Sequence, residues 1–305
     1  MNLRIVFMGS PEFALPSLRA LAGRYLVAGV VTQPDRPAGR GRNLAPPPVK
    51  ELAQALGLPV IQPSRLKEPQ AMQQIQNWSP DLIVVAAFGQ ILRSAVLGLP
   101  LYGCINVHAS LLPRWRGAAP IQAAILHGDE KSGVTIMRMD PGIDTGPVLK
   151  SRAMNILPED TAETLGARLA ELGAELLLDT LPGYINGEIQ PKPQDESQAT
   201  YAPMLKKENG RLDFTRPAVE LERKVRAFNP WPGAYTLWQG QMLKIHRAHV
   251  VSETSAKPGE TYVYEGLPAL GAADGLLVLE ELQPSGKRSM PGKVFLNGAR
   301  GWGQR

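Results

Sequence analysis

The sequence predicts an α/β protein: a Rossmann-like, doubly wound, mostly parallel sheet followed by a small, OB-like β-barrel. Three features predict it. Short apolar runs alternate with helical segments from Leu3 to about Asn186, a polar, proline-bearing stretch follows, and short β-type runs punctuated by Gly and Pro fill the remainder of the 305 residues.

The apolar runs are Arg4 to Met8, Leu26 to Thr32, Val60 to Gln62, Leu82 to Ala86, Cys104 to His108 and Val134 to Met139, short and strand-like. After the first, Ser10 is placed to cap a helix opened by Pro11, where the missing proline N–H costs nothing. The turn Gly9-Ser10-Pro11-Glu12 carries neither G-x-G-x-x-G nor Gly-Lys-Ser/Thr, so NAD and ATP are not read from it. Asp160 and Glu163 form a capping-box pattern, and Leu165, Leu169, Leu172 and Leu176 follow at helical spacing, predicting a helix over about 161–186 that closes the first domain, 1–188. Residues 189–209 show neither period and read as an exposed linker. The second domain, 210–305, contains β-type runs at Ala234 to Trp238, Leu243 to His246, Thr261 to Tyr264 and Leu276 to Leu279.

Composition narrows the classes. With 44% hydrophobic and 20% charged residues the chain reads as globular and soluble, and 30 Gly with 28 Pro exclude a long helical bundle. A single cysteine, Cys104, makes no internal disulfide, and with four His there is no zinc-spaced cluster, so no metal and a reducing, cytoplasmic setting are expected. No apolar run approaches the roughly 18 residues of a membrane helix, no targeting segment is read at the start, and the absence of a surplus apolar stripe makes a monomer the expectation. The net charge of +5 admits a polyanionic partner; from Gly210 onward 13 Lys+Arg face 9 Asp+Glu, so +4 of it lies in the second domain.

The densest unusual stretch is NVHASLLPRWRGAAP, Asn106 to Pro120, leaving the carboxyl end of a strand, where open α/β sheets place ligands. Asn106 and His108 stand two apart and leave one face of a strand, so they can address one atom. A second loop, MDPGIDTGP, carries Asp140 and Asp144, and its Gly142 and Gly146 let that backbone approach a ligand closely. An amide and an imidazolium can hydrogen-bond oxygen charge on a carbonyl under attack, and a carboxylate can hold the imidazole or relay a proton. That is acyl-transfer equipment. Cys104 and Ser110 lack an adjacent base, so direct attack by a substrate amine is simpler than a covalent intermediate. An Asn, a His and an Asp are also common as turn formers and satisfied core groups, and spacing alone leaves both readings open.

NVHASLLPRWRGAAP followed by MDPGIDTGPV resembles the signature of the folate-dependent formyltransferases. The resemblance extends through IVFMGSPEFALPSL, TQPDRPAGRGR, DLIVVAAFGQIL, YAPMLKKENGRLDF and RAFNPWPGAY, nearly the whole chain. It implies an enzyme that transfers the formyl group of 10-formyltetrahydrofolate to the α-amino group of methionyl initiator tRNA. It also implies that Asn106, His108 and Asp144 form the catalytic group and that folate lies against Ser110, Leu111, Leu112 and Pro113. Phe88 to Leu92, with Ile91, is expected to line the same pocket or to pack the core. The loop with Arg36, Arg40 and Arg42 is expected to meet the tRNA acceptor end, its alternative being a solvated surface loop. Lys206 and Lys207 extend the basic surface, and Arg223, Lys224 and Arg226 lead into Phe228 and Trp231 as either an RNA-binding mix or barrel packing. The rival acceptor is an amino sugar nucleotide; glycinamide ribonucleotide enzymes share only the first domain. A non-catalytic tRNA-binding module is disfavoured by the intact Asn106, His108 and Asp144.

Overall fold

The computed structural model describes residues 3–38, 43–252 and 255–303. Its chain divides into one unit of residues 1–117, 132–154 and 166–201 and another of 118–131, 155–165 and 202–305. The elements of the amino-terminal half are β1 (Arg4–Gly9), α1 (Leu15–Ala22), β2 (Leu26–Val31), β3 (Arg36–Ala38), β4 (Asn43–Ala45), α2 (Pro48–Ala55), β5 (Val60–Ile61), α3 (Pro69–Asn77), β6 (Leu82–Ala86), α4 (Ser94–Leu97) and β7 (Cys104–His108). Then come β8 (Arg116–Gly117), α5 (Pro120–Leu126), β9 (Lys131–Arg138), β10 (Val148–Asn155), α6 (Ala162–Ile185) and β11 (Tyr201–Ala202).

In the first unit seven strands run in the order β10-β9-β7-β6-β1-β2-β5. The five from β7 to β5 are parallel, and β1, β2, β6 and β7 read in the sequence as continuous apolar runs because both faces are covered. The chain moves outward from β1 to β2 and β5, then returns to β6 on the other side of β1, so the carboxyl ends of β1, β6 and β7 share one edge. Beyond β7 the sheet turns antiparallel: β9 sets Met137 opposite Asn106 and Thr135 opposite His108. The core beside β1 and β6 holds Val6, Met8, Ile75, Trp78, Ile83 and Val85.

Two local expectations change. Ser10 does not cap the helix; its hydroxyl accepts from the Thr32 hydroxyl at 3.3 Å and from the Gln33 N–H at 3.1 Å, tying β1 to the end of β2. The reciprocal box at α6 is between Thr161 and Thr164, whose side chains accept each other's backbone N–H at 3.2 and 3.0 Å. Asp160 accepts the Leu157 N–H at 2.7 Å, closing the preceding turn, and the Thr164 hydroxyl at 2.9 Å, at the entrance to α6.

The second unit contains α7 (Ala218–Ala227), β12 (Ala234–Trp238), β13 (Gln241–Val251), β14 (Thr261–Tyr264), β15 (Leu267–Gly271), β16 (Leu276–Pro284), β17 (Met290–Pro291) and α8 (Gly292–Leu296). The strands make an antiparallel sheet in the order β12-β13-β16-β15-β14, the OB-like second domain that the run spacing predicts. Its core is apolar, built from Leu221, Val225, Ile245, Leu279, Leu282 and Phe295, with Trp238, Phe295 and Trp302 meeting ring to ring at 5.2–5.6 Å. Residues 118–131 join this unit through α5, which lies against α7. Just after α7, Phe228 is buried while Trp231 is exposed.

Candidate active site

β7 brings Asn106 and His108 to the carboxyl edge of the sheet, both nearly buried. The loop after β9 brings a carboxylate to meet them. Asp140 accepts the Gly142 N–H at 3.0 Å and the Thr145 hydroxyl at 2.7 Å, so it is spent on building the turn. Asp144, at φ +52° in a region that Asp tolerates, is turned toward the strand. Its Oδ1 accepts from Asn106 Nδ2 at 3.3 Å and lies 3.6 Å from His108 Nδ1. Its Oδ2 accepts the Gly117 N–H at 2.9 Å.

The other ring nitrogen, His108 Nε2, lies 3.0 Å from the Trp115 carbonyl. A carbonyl can only accept, so Nε2 carries the proton of that bond and Nδ1 turns to Asp144. Trp115 reaches this position at φ +59°, a strained conformation for a bulky residue. The surrounding segment holds it there: the Trp115 N–H donates to Thr200 Oγ1 at 2.9 Å, and the Arg114 guanidinium covers its ring at 4.4 Å.

The alternative nucleophiles are engaged elsewhere. Burial pushes the Cys104 thiol up to about 12, so it is a thiol rather than a thiolate at neutral pH. The Ser110 hydroxyl donates to the Arg114 carbonyl at 2.6 Å and is buried. Thr135, opposite His108, donates to the Ser110 carbonyl at 2.7 Å and accepts the Leu112 N–H at 3.1 Å, fixing SLLP on the sheet. Among the described residues no group of three or more His, Cys, Asp or Glu is arranged to hold a metal, and no helix is long and apolar enough to cross a membrane.

The structure thus brings together Asn106, His108 and Asp144, with Ser110 directly downstream of His108. Leu111, Leu112 and Pro113 are half-buried. Phe88 and Leu92 are both 2% exposed and pack in the core beside β1 and β6, whereas Ile91 is 72% exposed. Arg36 is exposed, at the base of the β3–β4 hairpin, with its guanidinium on Gln33 Oε1 at 3.1 Å. Arg40 and Arg42 lie outside the described residues. Below the hairpin, Lys50 Nζ pairs with Asp35 at 2.7 Å and Gln62 donates to Asp35 at 2.7 Å. Hydrogen bonds from Gln62 and Lys50 hold the Asp35 carboxyl below the usual range. Lys206 and Lys207 are exposed in the second unit.

Sequence reasoning missed the groups that support Asp144. Gln194, in the segment that reads as a linker, donates to the carbonyls of Asp144 at 2.8 Å and Gly146 at 2.7 Å. Arg116, fully buried, donates from Nε to Gln194 at 3.0 Å and from both terminal nitrogens to Glu196 at 2.7 and 2.8 Å. The Arg116 guanidinium holds the Glu196 carboxyl below its ordinary range. The RWRG motif contained the only sequence signal of this arrangement; Gln194 itself carried none.

This geometry can be set beside known proteins. Residues 3–181 match the formyl transferase family, and residues 204–300 match the formyl transferase C-terminal domain. The chain belongs to the formyl transferase family. Methionyl-tRNA formyltransferase of Myxococcus xanthus is 52% identical over 297 residues, covering 97% of this chain and 95% of that one. The methionyl-tRNA formyltransferase of Geobacter sulfurreducens is 49% identical over 302 residues, covering 98% and 95%. Among solved structures, HypX of Aquifex aeolicus in complex with tetrahydrofolic acid superposes with a TM-score of 0.66 at 20% identity. That match covers 100% of this chain and 49% of HypX, so the chain spans about half of HypX and shares its fold.

Proposed function

We propose that this formyl transferase moves the formyl group of 10-formyltetrahydrofolate to the α-amino group of methionyl initiator tRNA. The observation that carries the reading is near-full-length identity of 52% with a methionyl-tRNA formyltransferase, both domains included. The convergence of Asn106, His108 and Asp144 supports it with a chemistry.

The lone pair of the uncharged amine attacks the formyl carbon, and the C=O electrons move onto oxygen. Asn106 has a second Nδ2–H beyond the one on Asp144 and supplies it to that oxygen; His108 in its protonated form adds a second donor from Nδ1, the ring nitrogen that the Trp115 carbonyl does not hold. The tetrahedral species collapses by breaking the bond to the folate nitrogen, which takes up the proton released by the amine. Asp144, within reach of both Asn106 and His108, holds the imidazole and helps to carry that proton. These side chains are mostly out of water, where fixed dipoles act on developing charge more strongly than in solvent. Folate is read against Leu111, Leu112, Pro113 and the exposed Ile91. Arg36, Arg40 and Arg42 on one loop, and Lys206 and Lys207 in the second unit, are read as tRNA contacts. The protein is read as a cytoplasmic monomer.

The test offers 10-formyltetrahydrofolate with methionyl initiator tRNA or with an amino sugar nucleotide. The expected outcome is formylmethionyl-tRNA and tetrahydrofolate in equal amounts, and no formylated sugar nucleotide. Formylation of the sugar nucleotide alone overturns the reading.

A further inference from the structure

We infer that Gln194 is a positioning residue for the reaction, acting through the backbone of the Asp144 loop; the inference rests on the proposed role of Asp144. Its amide is placed without ambiguity. One end faces two carbonyl oxygens, those of Asp144 and Gly146, at 2.8 and 2.7 Å, and carbonyls require N–H donors. The other end faces Arg116 Nε–H at 3.0 Å, which requires an acceptor. A flipped amide would set oxygen against two carbonyls and N–H against a guanidinium, so each bond fixes the others.

Asp144 sits at φ +52°, so its carboxylate direction depends on a turn that its surroundings must hold. Two arms hold it, and both come from the same neighbourhood. Gly117 N–H takes the side chain at Oδ2, while Gln194 takes the backbone at the carbonyls of Asp144 and Gly146. Gln194 is kept in place by Arg116, whose charge is fully buried and answered by Glu196 through two bonds. Arg116 and Gly117 are consecutive, so the strand that seats Gln194 also supplies the N–H on Oδ2. Asp144 Oδ1 is thereby left for Asn106 and His108. Gln194 lies 50 residues from Asp144 in sequence and touches none of the reacting groups.

The test is a double-mutant cycle with the full chain, using Gln194→Leu, Gln194→Glu, Asp144→Asn and the combinations, read as kcat and KM for both substrates. Gln194→Glu keeps the volume and an acceptor for Arg116 but removes both donors, so it serves if the Leu variant fails to fold. Displacement of a reacting group by about 1 Å costs on the order of 10²-fold. The expected result is a fall in kcat of about 10- to 10²-fold for either Gln194 variant, with both KM values within about threefold and no further fall in the Asp144→Asn background. An unchanged kcat in Gln194→Glu, or a fall that multiplies with that of Asp144→Asn, overturns the positioning role. If Asp144→Asn itself leaves kcat unchanged, the proposed catalytic group fails instead, and the positioning role fails with it.

Discussion

The two units differ in what they bury. Among the described residues, the first unit buries Ser10, Ser17, Thr32, Asn106, His108, Ser110, Arg116, Ser132, Thr135 and Thr180, whereas the second buries only Asp160 of this polar class. Its core cluster is wholly apolar. A buried polar group costs free energy unless it is hydrogen-bonded, so a unit that carries many of them holds them in networks. In the first unit Asn106, His108 and Arg116 belong to a network that ends on Asp144, whereas Ser10 and Thr32 bond each other and Thr180 bonds its own helix. Apart from Asp160, the second unit keeps its polar groups nearer the surface, and the positive excess of residues 210–305 within it can act only on what docks there. In the proposed function, chemistry sits in the one, and recognition of a polyanion is spread over surfaces.

Two matched glycines can break that division. A Cβ on Gly146 would land on the Arg138 carbonyl oxygen, and a Cβ on Gly292 would land on the Leu279 carbonyl oxygen. Both Ala variants force backbone to move, but in different units. Gly146→Ala is expected to cut kcat by about 10²-fold by shifting the Asp144 loop. Gly292→Ala is expected to destabilise the second unit by about 1–3 kcal/mol with kcat at saturating tRNA nearly unchanged. Steady-state kinetics paired with thermal unfolding reads both, and equal kinetic losses would erase the contrast.

A smaller effect sharpens the recognition half. Replacing Arg40 and Arg42 by Ala is expected to raise KM for tRNA by about tenfold, on the order of 1.4 kcal/mol, and to leave folate binding intact. The log–log salt dependence of tRNA affinity is expected to flatten by about two, one for each lost phosphate contact. An unchanged slope removes the loop from that role.

Much of the fold was legible because its signals are local. Both faces of β1, β2, β6 and β7 are covered, so each appears as an apolar run. β10 escaped notice because most of its residues are at least partly exposed, and VLKSRAMN reads as polar. The Ser10 cap was misread for a related reason: the residue type suits a cap, but its partners, Thr32 and Gln33, lie more than twenty positions away. The candidate site divides in the same way. Asn106 and His108 share a strand and a face, and their spacing placed them together. Asp144 was selected from two loop carboxylates by the family resemblance, and Asp140 then proved to be the turn former. Trp115 acts through a carbonyl, which no side-chain pattern announces. Gln194 and Glu196 meet Arg116 across 78 and 80 positions, inside a stretch whose composition resembles a solvated linker.

The proposed role of Asn106, His108 and Asp144 is to supply the transition-state contacts for formyl transfer. It is tested most directly by single-turnover formylation of methionyl initiator tRNA at saturating 10-formyltetrahydrofolate, comparing the wild type with His108→Ala and Asp144→Asn. Losing one such contact is worth about 2.7–4 kcal/mol, so rates about 10²- to 10³-fold below wild type are predicted, with tRNA affinity retained. A rate near that of the wild type in either variant would contradict the account.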